Sequence, residues 1–365
     1  MADDSPQLIA TDSALADLAC ELAQAPVLAV DTEFMRVRTY FPVLCLVQIF
    51  DGERAVCVDA LAISDLAPLL EVFETSPQPT LLHAARQDFE TFYVSSQQLP
   101  RAVFDTQIAA AMTGPGDQLS YAKLVQDITG VELPKTQTRT NWARRPLTSQ
   151  QLHYAADDVR YLPPLMTHYA DALDGLGRRE WFDAECERLL AHDLYEPDID
   201  GAWRRCKSRR RFSPPQSGAW RQLCALRERT ACAHDKPRRW IIEDAALEEL
   251  ATLRPDDHDG IRRVLQNAKA HRGLSIEAIA KVIGDAAPIE DERPQRLSPQ
   301  ELATMDKVLR ALRRIAAELD IAPSVLATRR DAEQLVRGQR DIPLLSGWRR
   351  DVIGSRLLDI ATAPS

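Results

Sequence analysis

The stretch Val27-Leu28-Ala29-Val30-Asp31-Thr32-Glu33-Phe34 constrains this chain more than any other. A short, Val-rich apolar run reads as a buried strand, and this one stops abruptly in two acids. Side chains alternate along a strand, so Asp31 and Glu33 share one face with Thr32 opposite, and the two carboxylates stand ~7 Å apart. Acids kept together at the end of a core strand lose hydration and repel one another, and a cation between them relieves both costs. Oxygen ligands suit Mg²⁺ or Mn²⁺. The plain alternative is a strand that ends at the surface with its acids solvated. A D-x-E pattern is too short to decide between the two by itself.

The flanking sequence predicts a mixed sheet of five strands. An amphipathic helix over 7–24 comes before the first strand. A basic, aromatic loop over 36–42 follows it. Residues 44–50 and 54–59 read as an antiparallel pair turned at Asp51-Gly52, a strong hairpin signal. A helix near 64–75, a strand over 80–85, a helix from Gln87 to Tyr93 and a strand over 102–106 complete the pattern. Strands alternating with helices imply an α/β domain whose sheet is covered by helices. Helical patterns resume over 118–129 and 148–174, with a polar, basic loop at 133–146 between them that carries Trp142, expected to be exposed.

A length of 365 residues allows two or three domains. Seven scattered cysteines without a C-x-x-C pair argue against zinc or a disulfide framework and for a reducing, cytoplasmic setting. No run approaches a membrane span, and the acidic first residues are not a signal region. The net charge of −9 gives no global attraction to nucleic acid, so any such contact must come from local basic patches. The strongest is Trp203 to Pro215, with Arg204, Arg205, Lys207, Arg209, Arg210 and Arg211, which also reads as a domain edge. Beyond it two helical blocks resemble each other, each a long helix followed by short ones, as in a degenerate repeat of roughly 70 to 80 residues. No long coiled-coil seam is visible, which makes a monomer the expectation.

Two further clusters carry candidate chemistry. Asp88 begins the helix after the strand at 80–85; it is either an acid suited to a first helical turn or a ligand carried to the sheet end beside Asp31. In Gln151 to Leu162, Tyr154 and Asp158 are an i, i+4 pair on one helical face, and His153 and Asp157 are a second pair on the neighbouring face. Either His153 or Tyr154 is placed to address a water, and such pairs are often only a solvated face. Together the clusters offer four carboxylates and a phenol. That is the donor set for two divalent ions about 4 Å apart, one activating water and the other steadying the leaving oxygen of a phosphodiester.

The order D-x-E, then a lone Asp after a His-containing strand, then Y-x₃-D resembles the 3′→5′ exonucleases with four acids and a tyrosine, the DEDDy group. Asp31-Thr32-Glu33-Phe34 with Arg38-Thr39-Tyr40, and Arg145-Pro146-Leu147 leading to Tyr154-Ala155-Ala156-Asp157-Asp158-Val159-Arg160-Tyr161-Leu162, resemble the ribonuclease D family. Pro237-Arg238-Arg239-Trp240-Ile241-Ile242 with Leu247-Glu248-Glu249-Leu250-Ala251 is similar to the HRDC helical domain shared with RecQ-type helicases.

The resemblance implies an RNase H-like catalytic domain over 1–205 and two all-α HRDC domains over 206–293 and 294–365. It implies that Asp31, Glu33, Asp88 and Asp158 hold two Mg²⁺ or Mn²⁺ ions, that Tyr154 rather than His153 orients the attacking water, and that RNA with a free 3′ end is shortened to 5′-mononucleotides. The expected substrates are tRNA precursors and other small structured RNAs. Phe34, Met35, Arg36, Arg38, Tyr40 and Arg145 are the expected RNA contacts. The chain departs from the family pattern at Thr140-Asn141-Trp142, where Ser-Asp-Trp is usual, and in its extra acid Asp157. A 3′→5′ exonuclease preferring DNA, and a non-catalytic RNA-binding scaffold, are the competing readings. A helicase needs a phosphate loop, and no G-x-x-x-x-G-K-[ST] occurs in this chain.

Overall fold

The computed structural model describes residues 6–114, 116–134, 140–208, 210–269, 271–291 and 296–363. These form two compact units, one of Met1–Phe34, Leu44–Leu194 and Arg296–Ser365, the other of Met35–Val43 and Tyr195–Gln295.

The first unit is built on a mixed sheet of six strands, β1 (Gln7–Ile9), β2 (Leu28–Met35), β3 (Val43–Phe50), β4 (Ala55–Val58), β5 (Thr80–Leu82) and β6 (Val103–Asp105), in the spatial order β1-β4-β3-β2-β5-β6. The sixth strand corrects the five-strand expectation. Gln7–Ile9 was expected to open a helix, but the side chain of Thr11 accepts the N–H of Ala14 and starts helix α1 at Asp12–Leu22. The residues before this cap are left extended and pair in parallel with β4. The Asp51-Gly52 hairpin forms between β3 and β4, with Phe50 opposite Ala55. Gly52 takes φ +105°, and the Asp51 carboxylate accepts the N–H groups of Glu53 and Arg54.

What matters for the site is the central position of β2. It runs parallel to β5, with Leu28 opposite Thr80, so the carboxyl ends of both strands reach the same edge of the sheet. In an open α/β sheet such an edge is where ligands bind. Leu28, Ala29 and Val30 are fully buried, and β2 leaves the core only where its acids begin. After β5, helix α3 (Arg86–Ser96) starts at that edge. Its approach is forced through Ala84 at φ +60°, and the Asp105 carboxylate holds that turn by accepting the N–H groups of Ala84 and Ala85.

Helices α2 (Ala67–Thr75), α4 (Thr106–Thr113) and α5 (Tyr121–Thr129) follow in the chain, with α4 against β6 and α2 against α1. The expected single helix over 148–174 is two, α6 (Ser149–Arg160) and α7 (Leu162–Gly175). Pro163 and Pro164 fit only the first turn of a helix, because proline lacks the N–H that an interior position donates, so the chain restarts after Tyr161. A capping box between Thr148 and Gln151 fixes the start of α6. Trp142, expected to be exposed, is 4% exposed and lies 6.3 Å from the ring of Tyr154. Its polar neighbours in sequence hid an anchor of the loop.

Helix α8 (Arg179–Leu189) packs against the last helical block of the same unit. Trp181 stacks on Trp348 with ring centres 5.0 Å apart, and Glu185 accepts from Trp348 Nε1 and pairs with Arg349. That block has its own core of Val308, Leu312, Ile315, Leu326, Leu335 and Leu357.

The second unit is all helical. Helices α9 (Pro214–Ala233), α10 (Arg238–Ile241), α11 (Asp244–Leu250), α12 (His258–Asn267) and α13 (Ile276–Asp285) enclose Trp220, Leu223, Leu247, Ile261 and Ile279. Tyr40 and Phe41, from the segment that follows β2 in the chain, belong to the same core.

Candidate active site

Three of the acids singled out in the sequence converge. Asp31 and Glu33 on β2 and Asp158 on α6 each offer a carboxylate oxygen, and these oxygens all lie within 4.8 Å of one another. Asp88 stands at the start of α3 with its Oδ1 accepting from both the N–H and the hydroxyl of Thr32, at 3.1 and 2.5 Å. The residue between the two strand acids therefore orients the fourth acid. Thr32 was passed over because it faces away from Asp31 and Glu33, although a buried hydroxyl needs a partner.

The acids are stressed as a group. Burial first, then the charges of Asp88, Asp158 and Glu33, push Asp31 well above the ordinary carboxylate range. Glu33 is pushed up to about 8 by burial and by Asp158 and Asp88. Burial raises Asp88 to about 7 against the lowering effect of its Thr32 hydrogen bonds. Asp158 rises to about 7 through burial and the charge of Asp157. Among the described residues, no Lys, Arg or His forms an ion pair with any of the four. Partly buried oxygens, close together and without an ion-pair partner among the described residues, fit hard divalent cations.

Tyr154 faces this charge. Burial, then Asp158, Glu33 and Asp31, raise its phenol above the usual tyrosine range, so it stays protonated and able to donate. The Nδ1 of His153 lies 2.7 Å from the Ser149 carbonyl one turn back on α6. Asp157, the extra acid, pairs with Arg160 at 3.0 Å. Sequence reading also missed Tyr121. Its hydroxyl donates to the Asp157 carbonyl and accepts the Tyr161 N–H, which fixes the end of the helix that carries Asp158.

Two expected RNA contacts are otherwise engaged. Arg145 grips Asp59 through Nε and Nη2, both at 2.6 Å, and donates to the carbonyls of Trp142, Arg144 and Cys45. A guanidinium has five N–H bonds in a fixed fork, so this set leaves Arg145 clamping the loop to the sheet. Tyr40 is buried, with its hydroxyl 2.5 Å from Glu228. Phe34 and Met35 are half-buried at the end of β2, and Arg36 and Arg38 are exposed.

The raised acids give a pH dependence with a definite sign. A carboxyl whose folded pKa lies above its unfolded value of about 4 binds more protons when folded, so its contribution to stability is present at low pH and is lost as pH rises towards 8. The melting temperature of the metal-free protein is expected to fall between pH 5.5 and 8.5. Mg²⁺ or Mn²⁺ should restore it, by more at pH 8.5 than at pH 5.5 and by about 2.7 kcal/mol at a hundredfold excess over Kd. Differential scanning fluorimetry across pH, with chelator and with metal, checks this; a metal effect that ignores pH would contradict it.

Comparison with known proteins agrees with this arrangement. A family model for 3′-5′ exonuclease domains matches residues 6–174, and one for the HRDC domain matches residues 216–283. The ribonuclease D of Gluconacetobacter diazotrophicus is 35% identical over 97% of this chain and 92% of its own length. That of Pseudomonas paraeruginosa is 34% identical over 97% of this chain and 96% of its own length. The crystal structure of Escherichia coli RNase D, described as an exoribonuclease involved in structured RNA processing, superposes with a TM-score of 0.81 and 28% identity, covering 97% of this chain and 98% of that one. Full-length identity of this order, together with an acid cluster at the carboxyl edge of the sheet, makes this chain a member of the ribonuclease D family.

Proposed function

We propose that this 3′→5′ exoribonuclease trims tRNA precursors and other small structured RNAs from a free 3′ end, releasing 5′-mononucleotides, with two divalent ions, Mg²⁺ or Mn²⁺, held by Asp31, Glu33, Asp88 and Asp158. The observation that carries this reading is the partly buried acid cluster, which has no ion-pair partner among the described residues, in a chain that matches ribonuclease D over nearly its whole length. Divalent ions there supply the charge that activates water and steadies the leaving oxygen of a phosphodiester. The chain's own residues do the rest. Asp31 and Glu33 present their oxygens from a rigid central strand. Thr32 fixes the rotamer of Asp88. Tyr154, kept protonated by burial and by the surrounding acids, orients the attacking water.

We assign the catalytic domain to 1–205 and two HRDC-like domains to 206–293 and 294–365. The second assignment is supported by the parallel between the helical blocks. In one, α9, α10 and α11 have 20, 4 and 7 residues; in the other, Pro299–Glu318, Pro323–Leu326 and Arg329–Val336 have 20, 4 and 8. The scattered cysteines suit a reducing cytoplasm, and we take the protein to act as a monomer.

A tRNA precursor with an extended 3′ end, labelled at its 5′ end, tests the substrate class beside a DNA strand of the same sequence. The expected result is stepwise shortening of the RNA that slows at the mature end, with the DNA degraded at least about tenfold more slowly, the effect of ~1.4 kcal/mol of discrimination. Equal rates would favour the DNA reading.

A further inference from the structure

We propose that the ion pair of Arg145 with Asp59, together with the Trp142 that it anchors, fixes where the Tyr154 phenol stands, so that Arg145 serves the reaction as a positioning residue and not as an RNA contact. The inference rests on the water-orienting role given above to Tyr154.

A helix sets where a tyrosine side chain begins but leaves its ring a choice of rotamers, and contacts from outside the helix select among them. For Tyr154 such a contact is Trp142. The two ring centres lie 6.3 Å apart with planes tilted by 34°, within the range at which aromatic pairs attract. Trp142 is 4% exposed, and a buried indole in close-packed surroundings does not move aside. Tyr154 therefore has the acids near its phenol and a fixed wall beside its ring.

Trp142 itself lies in a segment, residues 140–148, that is neither helix nor strand, so something else must hold it. Arg145 does. Its Nη1 donates to the Trp142 carbonyl at 2.6 Å and to the Arg144 carbonyl at 2.9 Å. Its Nη2 donates to the Cys45 carbonyl on β3 at 2.8 Å. Nε and Nη2 each meet one oxygen of Asp59 at 2.6 Å. Asp59 follows β4 directly, is 4% exposed, and also accepts the Leu61 N–H. Helix α6, which carries Tyr154, lies against β4. One guanidinium thus ties the Trp142 segment to β3 and to the end of the strand on which α6 rests.

The fork geometry matters here. Two-pronged pairing with a carboxylate fixes orientation as well as distance, which an ammonium cannot do. All five N–H bonds of Arg145 have acceptors within the chain, so a phosphate could be bound only by displacing one of them. Burial raises the Asp59 carboxyl, but the hydrogen bonds and charge of Arg145 outweigh it and hold that carboxyl below the ordinary range. The pair stays charged at neutral pH.

The test reads placement and rate separately on the full chain. With 3-fluorotyrosine incorporated, the fluorine resonance of Tyr154 is the one of seven that Tyr154→Phe removes. In Arg145→Lys, Asp59→Asn and Trp142→Leu that resonance should shift. In the same three variants kcat with Mg²⁺ should fall about tenfold, within the ~10²-fold that an ångström of misplacement costs, and KM should stay within about twofold. Trp142→Phe, which keeps an aromatic wall, should recover most of the rate. Built into Tyr154→Phe, the three substitutions should each cost less than about twofold, because a hydroxyl that is absent cannot be misplaced. If Asp59→Asn fails to fold, Arg145→Lys and the Trp142 pair carry the same comparison.

A Tyr154 resonance that stays in place in the clamp variants overturns the proposal, whatever the rates do. Full additivity with Tyr154→Phe also overturns it, by making the clamp a support of the fold at large. A rise in KM at constant kcat in Arg145→Lys overturns it as well and returns Arg145 to the RNA contacts. A resonance that moves in an enzyme whose rate ignores Tyr154→Phe leaves the clamp standing and removes the water-orienting reading instead.

Discussion

Asp31→Asn is expected to lower kcat by about a thousandfold, the equivalent of ~4 kcal/mol of transition-state stabilisation, while making the metal-free protein more stable. Both effects have one cause. Asp31 sits among Glu33, Asp88 and Asp158, and burial together with their charges pushes its carboxyl well above the ordinary range. An amide of the same shape removes that repulsion and also one of the oxygens that meet within 4.8 Å. Stability and activity should therefore move in opposite directions, as they do where a site is built from groups that would not otherwise be kept together. Melting curves in chelator at pH 8 and single-turnover rates in Mg²⁺ measure the two halves. A variant that is less active and also less stable without metal would show that Asp31 serves the fold and not a cation.

Tyr154→Phe is expected to reduce kcat on the order of 10²-fold, at the lower end of what a positioned proton-handling group contributes, with KM little changed. His153→Ala should leave the rate within about twofold, an effect below ~0.5 kcal/mol. The two are neighbours on α6 but face different surroundings. Burial and then the acids raise the Tyr154 phenol, whereas the His153 ring is turned to the Ser149 carbonyl and hydroxyl. Rapid-quench measurement of both variants at saturating RNA decides between them. The reverse order of effects would move the water-orienting role to His153.

How much of this was legible in the sequence follows from which interactions are local. The strand that carries Asp31 and Glu33 could be read because one short segment carries both signals, an apolar run and two acids spaced by the strand period. The hairpin at Asp51-Gly52 could be read for the same reason. The edge strand Gln7–Ile9 could not, because three residues carry no period of their own and only pairing with β4, nearly fifty residues later, keeps them extended. The break between α6 and α7 was written in Pro163-Pro164, but a continuous helical pattern on either side masked it. Arg145 and Tyr40 are expected RNA contacts because basic and aromatic residues in loops often are, and the fold adds that both are engaged within the protein. Their partners, Asp59 and Glu228, lie 86 and 188 residues away, and no local pattern announces them. Thr32 is the instructive omission. Alternation placed it away from its neighbouring acids, and only the fold shows that it reaches a third.

The most direct measurement is degradation of a 5′-labelled single-stranded RNA with a free 3′ end, run with Mg²⁺, with Mn²⁺ and with chelator, on the full chain and on Asp31→Asn. A ladder shortening from the 3′ end, abolished by chelator and by the substitution, is the expected result. RNA that is bound but never shortened with either metal would contradict the account, and the roles given to Asp31, Glu33, Asp88, Asp158 and Tyr154 would fall together.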